Sequence, residues 1–165
     1  MKLKIYPYSK NFPKQYEKEK EKIRQSFKEL GNYKTSHIGS TSVPGLGGKG
    51  IIDVMIGIKS WIKRNQYIRQ LKTIGFNHIH PEEKGRIFLS RIRKTKKGDI
   101  HIHLVKLNSP ELKRHLKFRY YLRTHKAEAK KYWQAKLKLI RKTKGNRIIF
   151  GKLKNKYIEN LQKDF

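Results

Sequence analysis

The chain has no cysteine, which excludes disulfides and thiolate metal sites and fits a reducing, cytoplasmic location. Acids are scarce: twelve Asp and Glu stand against 42 Lys and Arg, for a formal net charge of +30. No apolar run approaches the ~18 residues of a membrane span, so none is expected. The opening MKLKIYPYSKNFPK also lacks the apolar stretch of a secretory leader. Hydrophobic residues make up only 36%, on the low side for a globular chain but above the disordered range. Two Trp, nine Tyr and seven Phe supply much of the area that can be buried. No linker, repeat or low-complexity tract divides the 165 residues, so a single domain over residues 1–165 is expected.

A field this positive attracts polyanions, and RNA is the abundant one. A coding bias toward Lys and Ile accounts for the lysines. It does not account for the missing Glu, which normally accompanies them.

Along the chain, Lys2 to Tyr8 reads as a short strand or extended arm. Pro13 opens a helix to about Leu30, with Phe12, Tyr16, Ile23, Phe27 and Leu30 on an apolar face and Gly31-Asn32 as its C-cap. Thr35 to Ile38 and Ile51 to Ile58 are strands. Ser60 caps a helix to Ile74 whose core positions are Ile62, Tyr67, Leu71 and Ile74. Strands follow at Phe76 to Ile79, Arg86 to Ile92 and Asp99 to Val105, with a charged hairpin tip at Thr95 to Gly98. Ser109-Pro110-Glu111 starts a helix, and helix continues to the end. Leu112, Leu116, Tyr120 and Leu122 serve its first part, and Ile149, Leu153, Tyr157 and Leu161 its last. Trp61 and Trp133 read as core. The order gives an α+β or mixed α/β layer fold.

The segment KTSHIGSTSVPGLGGKGIIDVMIGI, Lys34 to Ile58, carries the chemistry. Gly45-Leu46-Gly47-Gly48-Lys49-Gly50 matches the dinucleotide-binding glycine pattern, but a strand follows where a helix is required. Gly50 likewise stands where a Walker A loop needs Ser or Thr. Both motifs are rejected. The turn Gly39-Ser40-Thr41 followed by Asp53 is more specific, because backbone N–H groups and hydroxyls hold phosphates while a neighbouring carboxylate holds the Mg²⁺ that bridges them. A second acid two residues on would face the same metals, and Met55 stands there instead.

The period of two in the later strand sets Asp99, His101 and His103 on one face and Ile100, Ile102 and Leu104 on the other. Asp99 could join Asp53 at a metal, and the histidines could act as acid, base or ligand. Ordinary hydrogen-bonded strand histidines are the plain alternative. Arg86, Arg91, Arg119 and Arg123 are candidate phosphate clamps, the last two on one helix face.

HIGSTSVPGLGGKGIIDVMIGI and DIHIHLVKLNSPELKRHLKFRYYLRTHKAEAKKYWQAK together resemble the two signature blocks of the GrpB-like family, a branch of the polymerase-β-like nucleotidyltransferase superfamily. The resemblance covers nearly the whole chain. It implies a small mixed β-sheet flanked by helices with a helical C-terminal part, Gly39-Ser40 at the nucleotide phosphates, and Asp53 at the metal. The chain departs from the family pattern at Tyr120, which replaces an Asp of the second block, and from the superfamily's at Met55.

The expected function is Mg²⁺-dependent transfer of a nucleoside monophosphate from an NTP to an acceptor, with RNA favoured by the charge. Asp53, Asp99, His101 and His103 carry the chemistry, with Asp53 and Asp99 at the metal. Gly39, Ser40, Thr41, Lys49, Arg86, Arg119 and Arg123 bind phosphates. The alternatives are a catalytically weak RNA- or nucleotide-binding module of the same fold, and an accessory domain that meets an acidic protein.

Overall fold

The computed structural model describes residues 2–91 and 99–164. Helix α1 (Asn11–Ser26) precedes strands β1 (Tyr33–Ile38) and β2 (Ile52–Ile58), which are joined by a 3-10 turn at Ser40–Ser42. Helix α2 (Arg64–Thr73) leads into β3 (His78–Ile79), β4 (Arg86–Ser90) and β5 (Ile100–Lys106). Three helices close the chain: α3 (Pro110–Thr124), α4 (Lys126–Lys142) and α5 (Arg147–Leu161). This is a mixed α+β fold.

The strands form one sheet in the order β1-β2-β5-β4-β3. The central pair, β2 and β5, is parallel, and the other pairs are antiparallel. Alternation along the strands then gives the sheet two different faces. On one face Ile52, Val54, Ile56 and Ile58 of β2 meet Ile100, Ile102 and Leu104 of β5. Phe12, Tyr16, Ile23 and Phe27 from the α1 side and Tyr67 and Leu71 of α2 cover them as the main core. The other face carries Asp53 and Met55 beside His101 and His103, with Phe88 of β4 opposite His103. Helix α3 covers part of it, packing Leu112 against Ile38, Met55 and Val105. The final helices make a separate apolar cluster of Val43, Leu46, Leu122, Ala129, Tyr132 and Leu161.

Several expectations are corrected. The first helix ends at Ser26 rather than Leu30; Gly31 and Asn32 do adopt left-handed φ angles of 54° and 52°, but past an intervening turn. Ser60 makes no side-chain cap, because a 3-10 turn at Trp61–Lys63 comes before α2. That turn points Ile62 outward, 89% exposed instead of in the core. Phe76 is buried ahead of β3, whose pairing begins only at His78. Tyr120 and Ile149 are exposed, so neither is a core position. The arm at the N-terminus is extended, and only Tyr6 bridges, to Gly48. The expected tip at Thr95 to Gly98, with Ile92, lies outside the described residues. Ser109 caps α3 as expected, its Oγ accepting from Leu112 N–H at 3.3 Å, with Pro110 opening the helix.

Candidate nucleotide site

The register of β1 and β2 places Ile38 opposite Asp53, so the turn that follows β1 folds back over that carboxylate. Gly39 has a φ of 72°, in the left-handed region that disfavours any side chain. A Cβ there would also stand 2.5 Å from Asp53 Oδ2, so backbone and acid touch because position 39 is glycine. Gly48, from the loop before β2, presses on Ser40 in the same way: its Cβ would lie 2.5 Å from Ser40 Oγ. The turn is closed by Ser42 N–H donating to Gly39 O at 3.2 Å and by the Ser42 hydroxyl donating to the same oxygen at 2.7 Å.

Buried groups brace the turn from below. Thr41 Oγ1 donates to Ile51 O at 3.0 Å and so accepts from His37 Nε2, also at 3.0 Å. Burial, reinforced by Arg123 and Arg119 and opposed by Asp53, pushes His37 down to about 4, so its ring is neutral and stacks flat on Tyr16 at 4.7 Å. From α3, Arg119 Nη1 donates to His37 O at 2.8 Å, and Arg123 donates to Ser42 O through Nε at 2.9 Å and Nη2 at 2.6 Å.

Asp53 is a held anion. His103 Nε2 lies 3.3 Å and His101 Nδ1 3.5 Å from its Oδ1. Burial works against ionisation, yet the hydrogen bonds from His101 and His103 hold the carboxyl well below the usual range. Burial lowers His103 despite Asp53, so a neutral ring donates from Nε2 and leaves Nδ1 buried without a partner. On α3, Glu111 takes the place of a free acid. It accepts from His115 at 3.1 Å and Arg114 at 3.0 Å and sits 3.5 Å from Arg86, and its carboxyl drops to about 2, chiefly through His115.

Gly39, Ser40, Asp53, His101, His103 and Glu111 line one cleft of about 700 Å³ between the sheet and the C-terminal helices. Its opposite wall carries Lys49, Lys136 and Lys154. Burial, then repulsion from Lys154 and Arg147, pushes Lys49 down to about 8 against the pull of Asp53. Burial and Lys154 bring Lys136 to about 7, and burial also lowers Lys154. Lys136 donates to Gly47 O, with Tyr132 and Trp133 rings at 4.7 and 5.3 Å. Among the described residues, no carboxylate lies within ion-pair distance of Lys49 or Lys154. Arg119 Nε is buried in the cleft wall without a hydrogen-bond partner.

Of the residues expected from the sequence, Gly39, Ser40, Lys49, Asp53, Arg86, His101, His103 and Arg119 line this cleft. Thr41, Asp99 and Arg123 do not. Thr41 and Arg123 hold the turn in shape. Asp99 is buried beside it, accepting from Ile100 N–H at 2.8 Å and lying 3.9 Å from His101 Nε2. Arg91 is spent on buried Glu19. Sequence reasoning missed Lys136, Lys154, Glu111 and His115. The lysines carried a signal: Lys136 continues the buried stripe of Ala129 and Tyr132, and Lys154 lies one turn beyond buried Phe150.

A family model described as GrpB protein matches residues 2–164. The chain belongs to the GrpB family. Curated relatives include a UPF0157 protein of Halalkalibacterium halodurans, 31% identical over 83% of this chain and 69% of its own length. The UPF0157 protein YqkA of Bacillus subtilis is 33% identical over 79% of this chain, which spans only 38% of that longer protein. Among solved structures, GrpB from Enterococcus faecalis superposes with a TM-score of 0.83 at 29% identity, covering 98% of this chain and 96% of that one. Cid1 poly(U) polymerase bound to MgATP superposes at 0.58 with 11% identity, over 82% of this chain and 43% of its own. That likeness is one of fold: this GrpB chain is nucleotidyltransferase-like in its mixed sheet and flanking helices, and Met55 is fully buried under α3.

Proposed function

We propose that this GrpB chain binds an NTP with Mg²⁺ in the cleft and transfers its nucleoside monophosphate to an acceptor hydroxyl, with RNA as the acceptor. The observation that carries the reading is the Gly39 turn lying directly on an ionised Asp53, opposite three poorly compensated lysines. Among the described residues no set of three His, Asp or Glu forms a ready metal cage. Mg²⁺ is bound by one or two carboxylates and completes its shell with water and substrate phosphates. Asp53 would hold it, and the ion would neutralise phosphate charge.

The protein's own groups do the positioning. The Gly39–Ser40 backbone and the Ser40 hydroxyl take phosphate oxygens, while Lys49, Lys136, Lys154 and Arg119 face the departing pyrophosphate. The acceptor oxygen bonds to the α-phosphorus as the bond to the pyrophosphate oxygen breaks. Its proton passes to His101, which lies between Asp53 and Asp99. His103 keeps Asp53 aimed and charged.

Incubation with α-labelled NTP, Mg²⁺ and a short RNA is expected to give labelled RNA, lost by a factor of at least about 10² in Asp53→Asn. No transfer by the wild type, or equal transfer by the variant, would sink the proposal. The buried Met55 favours a second reading, a nucleotide-binding module without turnover. It predicts NTP binding by calorimetry with no labelled product.

A further inference from the structure

Four of the seven histidines project from the sheet's site face and form a continuous row of flat rings with Phe88. The ring centroids of His78 and His80 lie 4.6 Å apart, those of His80 and Phe88 5.0 Å, and those of Phe88 and His101 4.9 Å. Phe88 also meets His103 at 5.3 Å. Pairing explains the row. His78 stands opposite Ser90 and Ser90 opposite His101, while His80 N–H bonds to Phe88 O at 2.9 Å and Phe88 stands opposite His103. All therefore project from the face that carries Asp53.

The row runs from the inside of the cleft to the edge of the sheet. His101 and His103 are mostly buried, Phe88 is half-buried, and His78 and His80 are exposed. Lys84 and Arg86 line the cleft beside the row's inner end, and neighbouring Glu82 faces Arg64 at 3.6 Å.

We propose that this row is a stacking path for single-stranded RNA, leading the acceptor end from the sheet edge to Asp53. The proposal rests on RNA being the acceptor. Imidazole and phenyl faces are platforms for unpaired bases of any sequence, and a basic surround holds the backbone. Lys84 and Arg86 supply cations beside the row's inner end, next to Glu83, in a chain of net charge +30. A duplex cannot use the path, because its bases are already stacked on each other. The rings cross edge to face, at 90° for His78 and His80 and 80° for Phe88 and His101, so successive bases would lean on separate rings.

The test is direct binding, with neither NTP nor metal, so its outcome does not depend on whether the chain catalyses transfer. Fluorescently labelled oligo(U) of about 15 nucleotides is titrated with the intact protein, alone and annealed to oligo(A). The single strand should bind more tightly than the duplex. His80→Ala and Phe88→Leu should each weaken it by about fivefold or more, and duplex binding should change little. Ile62→Ala, at an exposed apolar residue that is not part of the row, should leave both unchanged. His80 is exposed, so its variant folds; circular dichroism verifies both. Equal affinity for single strand and duplex, or full single-strand affinity in both ring variants, would overturn the path. A single strand that does not bind at all would overturn it too.

Discussion

Lys49, Lys136 and Lys154 hold their protons less firmly than a surface lysine, and the shared cause is burial. Lys49 falls to about 8 and Lys136 to about 7. The unfolded chain therefore binds more protons than the folded one between these values and the ordinary 10.5, so stability rises with pH across that window. From pH 7 to 9.5 the wild type should gain about 1–3 kcal/mol, several degrees in Tm. Lys136→Met, which keeps the length but not the charge, should flatten that rise. Thermal unfolding by circular dichroism checks it, and a slope unchanged in the variant would contradict it. A bound triphosphate reverses the balance by favouring the charged lysines. The same groups that weaken the empty fold are thus ready for an anion.

Among the elements, α1 is tied to Arg91, the residue after β4, by a buried ion pair rather than by hydrophobic packing alone. Arg91 bonds Glu19 through two nitrogens, donates from Nε to Ile74 O at 3.1 Å, and lies 4.1 Å over the Phe76 ring. Arg91→Met should cost about 3–5 kcal/mol, because Glu19 would keep only Lys22 at 3.6 Å. Adding Glu19→Leu should recover part of the loss. The urea midpoint measures both, and a double variant no more stable than the single would refute the argument. This pair also marks where sequence reading stops. Strands β2 and β5 were legible because strict alternation separates Asp53, His101 and His103 from their apolar neighbours. Arg91 read as a phosphate clamp because a lone arginine looks the same in either role, and its partner is 72 residues away. Asp99 fell on the right strand face but at its end, where its Oδ1 turns to the adjacent backbone N–H. The turn residues were legible as a site. Which of them face the cleft was not, since Thr41 and Arg123 are distinguished from Ser40 and Arg119 only by three-dimensional bonding.

At the scale of the whole molecule, the charge and the fold make separable demands. Phosphate neutralisation gives an affinity that falls linearly with salt on logarithmic axes, at about 0.7 per contact for single strands. Affinity for single-stranded RNA should therefore fall steeply between about 50 and 200 mM salt, whereas Tm should not. Fluorescence titration across salt measures the slope, and a flat line would mean that the +30 charge reflects composition rather than a bound polyanion.

The parallel pairing of β2 with β5 carries a consequence for how the molecule comes into being. Asp53 leaves the ribosome well before His101, and Lys136 and Lys154 follow much later. Its antiparallel neighbour β1 is already present, but the central strand opposite it is not. During synthesis the Gly39 turn therefore meets an ordinary exposed carboxylate, with no imidazoles to fix it and no lysine wall. A partly made chain can display the signature segment while lacking the cleft. Non-local pairings of this kind close late and slowly, so the ability to hold a nucleotide would be among the last properties the growing protein acquires.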